Sequence, residues 1–158
     1  MKNKDITFHY TNEEMVKDLL AITPIFPSDT GLDAGSGRNK VWFKHLPCLT
    51  KYECEIEEGH DFLLWEKKVD WVVGNPPFHI GWQFMEKAME VANVGIAFLG
   101  NLNFFNSLTP KRIKLIRQKG FYLQKIQVVA DKRWFGRYYY LIFSKVENNF
   151  LNSFSKTY

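Results

Sequence analysis

Apolar residues along this chain recur with two periods, and the two alternate. "NEEMVKDLLAI" (residues 12–22) sets Met15, Leu19 and Ile22 at helical spacing behind first-turn acids, with Thr11 or Asn12 as cap. "TGLDAGSGRN" reads as a short strand breaking into a glycine turn, and "VWFKHL" as a short helix at best. "TKYECEI" alternates as a strand and runs into the turn "EEGHDF". "KVDWVVGN" and "VGIAFLG" are apolar enough for buried strands, and "GWQFMEKAMEVA" between them predicts a helix with Phe84, Ala88 and Val91 on one face. "TPKRIKLIRQKG" opens on Pro110, closes on Gly120 and turns Ile113 and Ile116 inward, again a helix. "FYLQKIQVVA" and "YYYLIFSKV", joined by "DKRWFGR", predict a hairpin, and "ENNFLNSFSKTY" is coil or a short helix. Strands alternating with helices predict an α/β fold with a mostly parallel sheet, to which the hairpin adds one antiparallel strand.

Length and composition narrow this further. The 158 residues, 46% hydrophobic and 24% charged, fit a single domain over 1–158 with a real core. Cys48 and Cys54 have no His or Cys partners at zinc spacing, so they read as reduced thiols with no metal. No apolar run matches a signal peptide or a membrane span, which predicts a cytoplasmic protein with no membrane contact. The net charge of +4 conceals an asymmetry. Residues 1–100 carry 10 Lys+Arg against 15 Asp+Glu, and residues 101–158 carry 11 against 2. A basic, aromatic-rich second half suits a polyanionic partner.

The candidate chemistry starts at Asn75-Pro76-Pro77-Phe78, directly after the apolar run Trp71-Val72-Val73. Two prolines end a strand by removing donors and fixing φ, leaving a rigid corner at its carboxyl end, the edge where open α/β sheets bind ligands. His79 beside it reads as local structure. Asp33-Ala34-Gly35-Ser36-Gly37 ends the first strand in a glycine turn, and Glu53 and Glu55 end the next strand about twenty residues on, where nucleotide-binding sheets hold a ribose diol. The turn lacks the P-loop Lys and Ser/Thr, and Lys40 stands where a dinucleotide fingerprint has its third glycine. An adenosine without phosphates therefore fits better than ATP or NAD.

Four motifs in order, "YTNEEMV", "LDAGSG", "HDFLLW" and "GNPPF", resemble those of the S-adenosylmethionine-dependent amino-methyltransferases, most closely the adenine-N6 DNA methyltransferases. The resemblance spans residues 10 to about 145. It implies a Rossmann-like class I methyltransferase sheet and S-adenosylmethionine as cofactor. The cofactor would be held by Tyr10, Thr11, Asp33, Ala34, Gly35, Ser36, Gly37, Glu55, Asp61, Phe62 and Asn75, with Glu53 as the alternative ribose acid. Asp61 and Phe62 would meet the adenine amino group and ring. Asn75, Pro76, Pro77 and Phe78 would be the catalytic set, with two carbonyls accepting from the target amine and Phe78 stacking on the base. Such a base must be flipped out or unpaired. Lys132, Arg133, Trp134, Phe135 and Arg137 at the hairpin tip would hold nucleic acid, with Trp134 or Phe135 stacking on the base.

The chain departs from the family pattern in two places. Only five residues separate Glu55 from Asp61, too few for the family's usual helix and strand. There is also no separate target-recognition domain, so specificity would be weak, or come from short loops, a protein partner or self-association. The rival readings are an RNA methyltransferase acting on guanine-N2 or adenine-N6, and a catalytically inactive subunit that keeps the cofactor fold.

Overall fold

The computed structural model describes residues 11–133 and 136–148. In chain order the elements are α1 (Glu13–Ala21), β1 (Thr30–Ala34), α2 (Val41–His45), β2 (Thr50–Cys54), β3 (Val69–Gly74), α3 (Gly81–Val91), β4 (Ala92–Asn101), α4 (Leu102–Asn106), α5 (Pro110–Gln118), β5 (Tyr122–Val129) and β6 (Tyr138–Ser144). The strands form one sheet in the order β2-β1-β3-β4-β6-β5. β2, β1, β3 and β4 are parallel, and β6 runs antiparallel to both β4 and β5. The predicted hairpin is present, but its second strand is inserted between β4 and its own partner. Among the described residues no helix is long and apolar enough to cross a membrane.

Each face of the sheet has its own core, and strand alternation assigns residues to them. Trp71, Val73, Leu99 and Tyr140 face α1 and α2, which contribute Val16, Leu19, Leu20 and Trp42. Val72, Ile96, Leu141 and Phe143 face α3 and α5, which contribute Phe84, Met85, Ala88, Ile113 and Ile116. Each fully buried side chain of this size stabilises the fold by about 1.5–3 kcal/mol. α1 is capped by the Asn12 side chain, which accepts from the Met15 N–H at 3.2 Å. Its buried stripe is Val16, Leu19 and Leu20. Met15 and Ile22, expected inward, are partly buried and pack against the margin of this core.

Two features place the reactive edge. First, the stretch between β2 and β3 forms two 3-10 turns, Ile56–Glu58 and Phe62–Leu64, with no further strand, so β2 is a sheet edge. Second, α4, which the periodicity does not reveal, follows β4 directly and seats Phe104 on two glycines. A Cβ at Gly81 would lie 2.4 Å from the Phe104 ring, and one at Gly100 would lie 2.2 Å away. Only glycine permits that approach, and it locks α4 against the start of α3.

Candidate active site

The strand order turns outward in both directions from β1 and β3, so their carboxyl ends flank the topological switch point where such sheets bind ligands. Asp33-Ala34-Gly35 leaves β1 there, and Gly74-Asn75 leaves β3. Gly74 has φ 140°, and a Cβ on it would meet Asp33 Oδ1 at 3.1 Å and the Ala34 carbonyl at 3.3 Å. The two chain ends are therefore packed backbone to backbone.

The glycine turn is fixed from below. Gly35 and Ser36 donate their N–H groups to the Cys54 carbonyl at 3.1 and 2.8 Å, and Gly35 and Gly37 take φ values of 93° and 64°. Ser36 Oγ donates to Glu53 at 2.6 Å, and Lys40 Nζ donates to Glu53 and Glu58, each at 2.7 Å. Burial opposes ionisation of Glu53, but these bonds outweigh it and hold its carboxyl below the usual range. Glu53 is thus committed to the turn. Glu55 is 8% exposed and spends one oxygen capping the first 3-10 turn through the Glu57 N–H. Its other oxygen remains available, so of the two sequence candidates Glu55 suits a ligand diol.

Asp33 is fully buried. Its Oδ2 accepts from the Phe43 N–H at 3.0 Å, while Oδ1 has no partner among the described residues. Burial pushes its carboxyl up to about 8, with smaller help from Glu53 and Glu55 and against the Phe43 bond.

Asp61 caps the second 3-10 turn, accepting from the Leu63 N–H at 2.9 Å. Phe62, expected to meet an adenine ring, is a core residue only 2% exposed and tilted against Phe84. Its backbone N–H is the first of the turn and has no intrahelical partner by position. The exposed apolar side chains here are Ile56 (69%) and Leu64 (77%), which sequence reasoning missed. A large side chain left bare beside a capping acid was the available signal.

At the corner, Asn75 Nδ2 donates to Thr11 Oγ1 at 3.4 Å, a long bond. Asn75 Oδ1 is buried and has no hydrogen-bond partner among the described residues. The Pro77 carbonyl accepts from the Ile80 N–H, and among the described residues no N–H is bonded to the Pro76 carbonyl. Phe78 lies 6.0 Å from the Tyr138 ring at 41°, which makes Tyr138 a wall residue that the sequence did not single out.

At the hairpin, Lys132 and Arg137 are exposed. Arg133 is clamped by Asp131, with Nε at 3.0 and 3.2 Å from its two oxygens and Nη2 at 2.6 Å from one, which neutralises much of its charge toward a polyanion. A cleft of about 650 Å³ opens between Met15, Leu19 and Ile22 of α1 and Val129, Asp131 and Lys132. Tyr10, Trp134 and Phe135, all expected at the site, lie outside the described residues.

No protein-family model and no curated protein matches the chain. Solved structures do. The 23S rRNA methyltransferase ErmE superposes with a TM-score of 0.67 at 15% identity, over 92% of this chain and 75% of that one. Magnesium protoporphyrin IX methyltransferase ChlM from Synechocystis PCC 6803, solved with bound SAM, gives 0.63 at 14% over 85% and 79%. TrmN from Thermus thermophilus gives 0.63 at 18% over 86%, and the chain spans about half (49%) of its length. The chain has the Rossmann-like class I methyltransferase fold.

Proposed function

We propose that the chain transfers the methyl group of S-adenosylmethionine to the exocyclic amino group of adenine in DNA, with the base flipped out or unpaired. The observation that carries this reading is Asn75 Oδ1, a buried acceptor at the switch point with no donor among the described residues. An unmet buried acceptor costs about 1–3 kcal/mol, so its retention points to a donor that arrives with a ligand. An adenine amine brings two.

The residues present fit the cofactor. Glu55 would take the ribose hydroxyls. Asp61 and the Phe62 N–H would take the adenine edge, and Ile56 and Leu64 would cover its ring. The positive φ values of Gly35 and Gly37 admit a close backbone approach, and the turn's hydroxyl and lysine, Ser36 and Lys40, are both spent on Glu53. When bound, the cofactor supplies an electrophilic methyl on a sulfonium.

The chain's own contribution is to the nucleophile. The adenine amine is weak because its lone pair is delocalised into the ring. Asn75 Oδ1 and the Pro76 carbonyl would accept its two hydrogens and favour a pyramidal nitrogen whose lone pair is available to an electrophile. The proton then leaves to water. Preorganised acceptors of this kind contribute several kcal/mol, and alignment contributes more. Phe78 stacks on the base, braced by Tyr138.

A second reading is RNA as the acceptor. The 23S rRNA methyltransferase that superposes over 92% of the chain favours it. Calorimetry with S-adenosylmethionine, then labelled methyl transfer to single-stranded DNA, duplex DNA and RNA of one sequence, tests both. Label in DNA is the expected result. Label only in RNA selects the second reading, and cofactor binding without transfer to any of the three removes the enzyme.

A further inference from the structure

A second concave surface lies on the sheet face opposite α1. A groove of about 720 Å³ runs along α5 and is lined by Lys111, Lys114, Arg117, Gln118 and Tyr122. Between Glu90 and Asp131 the chain contains no acid, yet Lys111, Arg112, Lys114, Arg117, Lys119 and Lys125 all fall in this interval. Outside this interval Lys17, Arg38, Lys40, Lys87 and Arg133 are each ion-paired, while Lys51, Lys67 and Lys68 donate to uncharged oxygens. Among the described residues none of the six is paired with an acid. Two of them are fixed by uncharged partners. Arg112 lies 4.4 Å over the Trp82 ring and donates to the Ser107 carbonyl at 2.9 Å. Arg117 lies 4.8 Å over the Tyr122 ring and donates to the Asn148 carbonyl at 2.8 Å. These contacts orient the guanidinium groups without cancelling their charge. Like charges at helical spacing repel one another, so a face of this kind costs stability unless a polyanion lies on it.

We infer that this face seats the phosphate backbone of the DNA strand that carries the target base, an inference that rests on the DNA reading above. The path starts from the reactive edge and leads away from it. α4 leaves the carboxyl end of β4, α5 follows it, and β5 starts opposite Ser144, which pairs with Gly95 near the amino end of β4. The nine residues of α5 span about 13–14 Å at 1.5 Å each. That length corresponds to about four phosphates of one strand at the duplex rise of roughly 3.4 Å per phosphate along the helix axis. The cations are exposed at Lys111, Lys114 and Lys119 and held in place at Arg112 and Arg117, an arrangement that reads charge and spacing rather than base edges.

The test compares two triple variants of equal charge change: Lys111→Gln/Lys114→Gln/Lys119→Gln on the face, and Lys17→Gln/Lys44→Gln/Lys68→Gln away from it. Binding of a fluorescein-labelled single-stranded DNA oligonucleotide is followed across a salt series, and cofactor affinity is followed by calorimetry. The face variant should flatten the slope of log K against log salt by about two units, at roughly 0.7 per single-strand phosphate lost. The control should keep the wild-type slope, and both should keep cofactor affinity. An unchanged slope in the face variant, or equal flattening in the control, overturns the inference. Flattening seen with RNA but not with DNA overturns the choice of DNA. Asn75→Ala separates this inference from the reading it rests on, since that variant should lose transfer and keep the slope.

Discussion

Asn75 and Asp33 each bury one side-chain oxygen that has no donor among the described residues, on neighbouring strand ends. Their chemistry diverges because one is an amide and the other a carboxyl. Asn75→Ala removes an acceptor that acts mainly on the transition state, so the loss should fall on the chemical step. Single-turnover methyl transfer should drop at least roughly a hundredfold, about 2.7 kcal/mol. Cofactor affinity should change severalfold at most, and Asn75→Asp should keep part of the activity because a carboxylate also accepts. Near-normal turnover by the Ala variant would reduce the corner to a strand terminator. Asp33 should instead mark the stability profile. Its folded value of about 8 stands above the unfolded value of 3.8, so between these limits the folded state holds a proton that the unfolded state has lost. Stability from this group therefore falls as pH rises from about 4 to 8, by up to about 1.4 kcal/mol per pH unit. Denaturant unfolding of wild type and Asp33→Asn across that window should give a declining curve and a flatter one. Parallel curves would show that Asp33 ionises in the fold without cost. Asn75 and the turn Asp33–Gly37 were legible in the sequence because their residue types are tied to backbone shape. The commitment of Glu53 to the turn was not, because it depends on Lys40 and Ser36 reaching across from the turn that follows β1.

Elements whose periodicity is sustained came through the sequence well. α3 and α5 bury the residues their spacing predicts, and β1, β3 and β4 are the apolar runs. Short elements did not. α4 is five residues long and owes its place to Phe104 entering the space over Gly81 and Gly100, a contact between residues far apart in the pattern. Phe62 shows a related limit: a motif names a residue but does not say whether its ring or its backbone lies open, and here the ring is 2% exposed. The Phe104 contact is itself testable. Gly81→Ala puts a methyl 2.4 Å from a ring that is 1% exposed, so overpacking should cost about 1–3 kcal/mol. For a chain of this size that lowers Tm by roughly 2–4 °C per kcal/mol. Adding Phe104→Leu should recover part of the loss, because the smaller side chain clears the space. A Gly81→Ala protein as stable as wild type, or a double variant that is merely the sum of the two losses, would mean that the ring moves aside freely and α4 does not brace the corner.

Across the whole molecule, charge divides along the sheet. The β2 end holds Glu53, Glu55, Glu57, Glu58 and Asp61, while α5 holds Lys111, Arg112, Lys114 and Arg117, which pair with no acid among the described residues. The acidic end is partly neutralised within itself, since Lys40 pairs with Glu53 and Glu58, and Arg38 pairs with Glu57. A ligand bound there meets hydrogen-bond geometry more than a net field. The basic side offers an unneutralised field, which salt screens and which phosphates exploit by releasing counterions. The two affinities should therefore separate in salt. Three single-strand phosphate contacts predict a roughly twentyfold loss of DNA affinity between 50 and 200 mM salt. Over the same range S-adenosylmethionine affinity should move by less than about twofold, because its contacts are short and shielded. Calorimetry for the cofactor and anisotropy for the oligonucleotide, run in matched buffers, measure both. Parallel losses would mean that the acidic end acts through its net charge and that the internal ion pairs do not shield it. Salt-insensitive DNA binding would mean that the basic side is not where the strand lies.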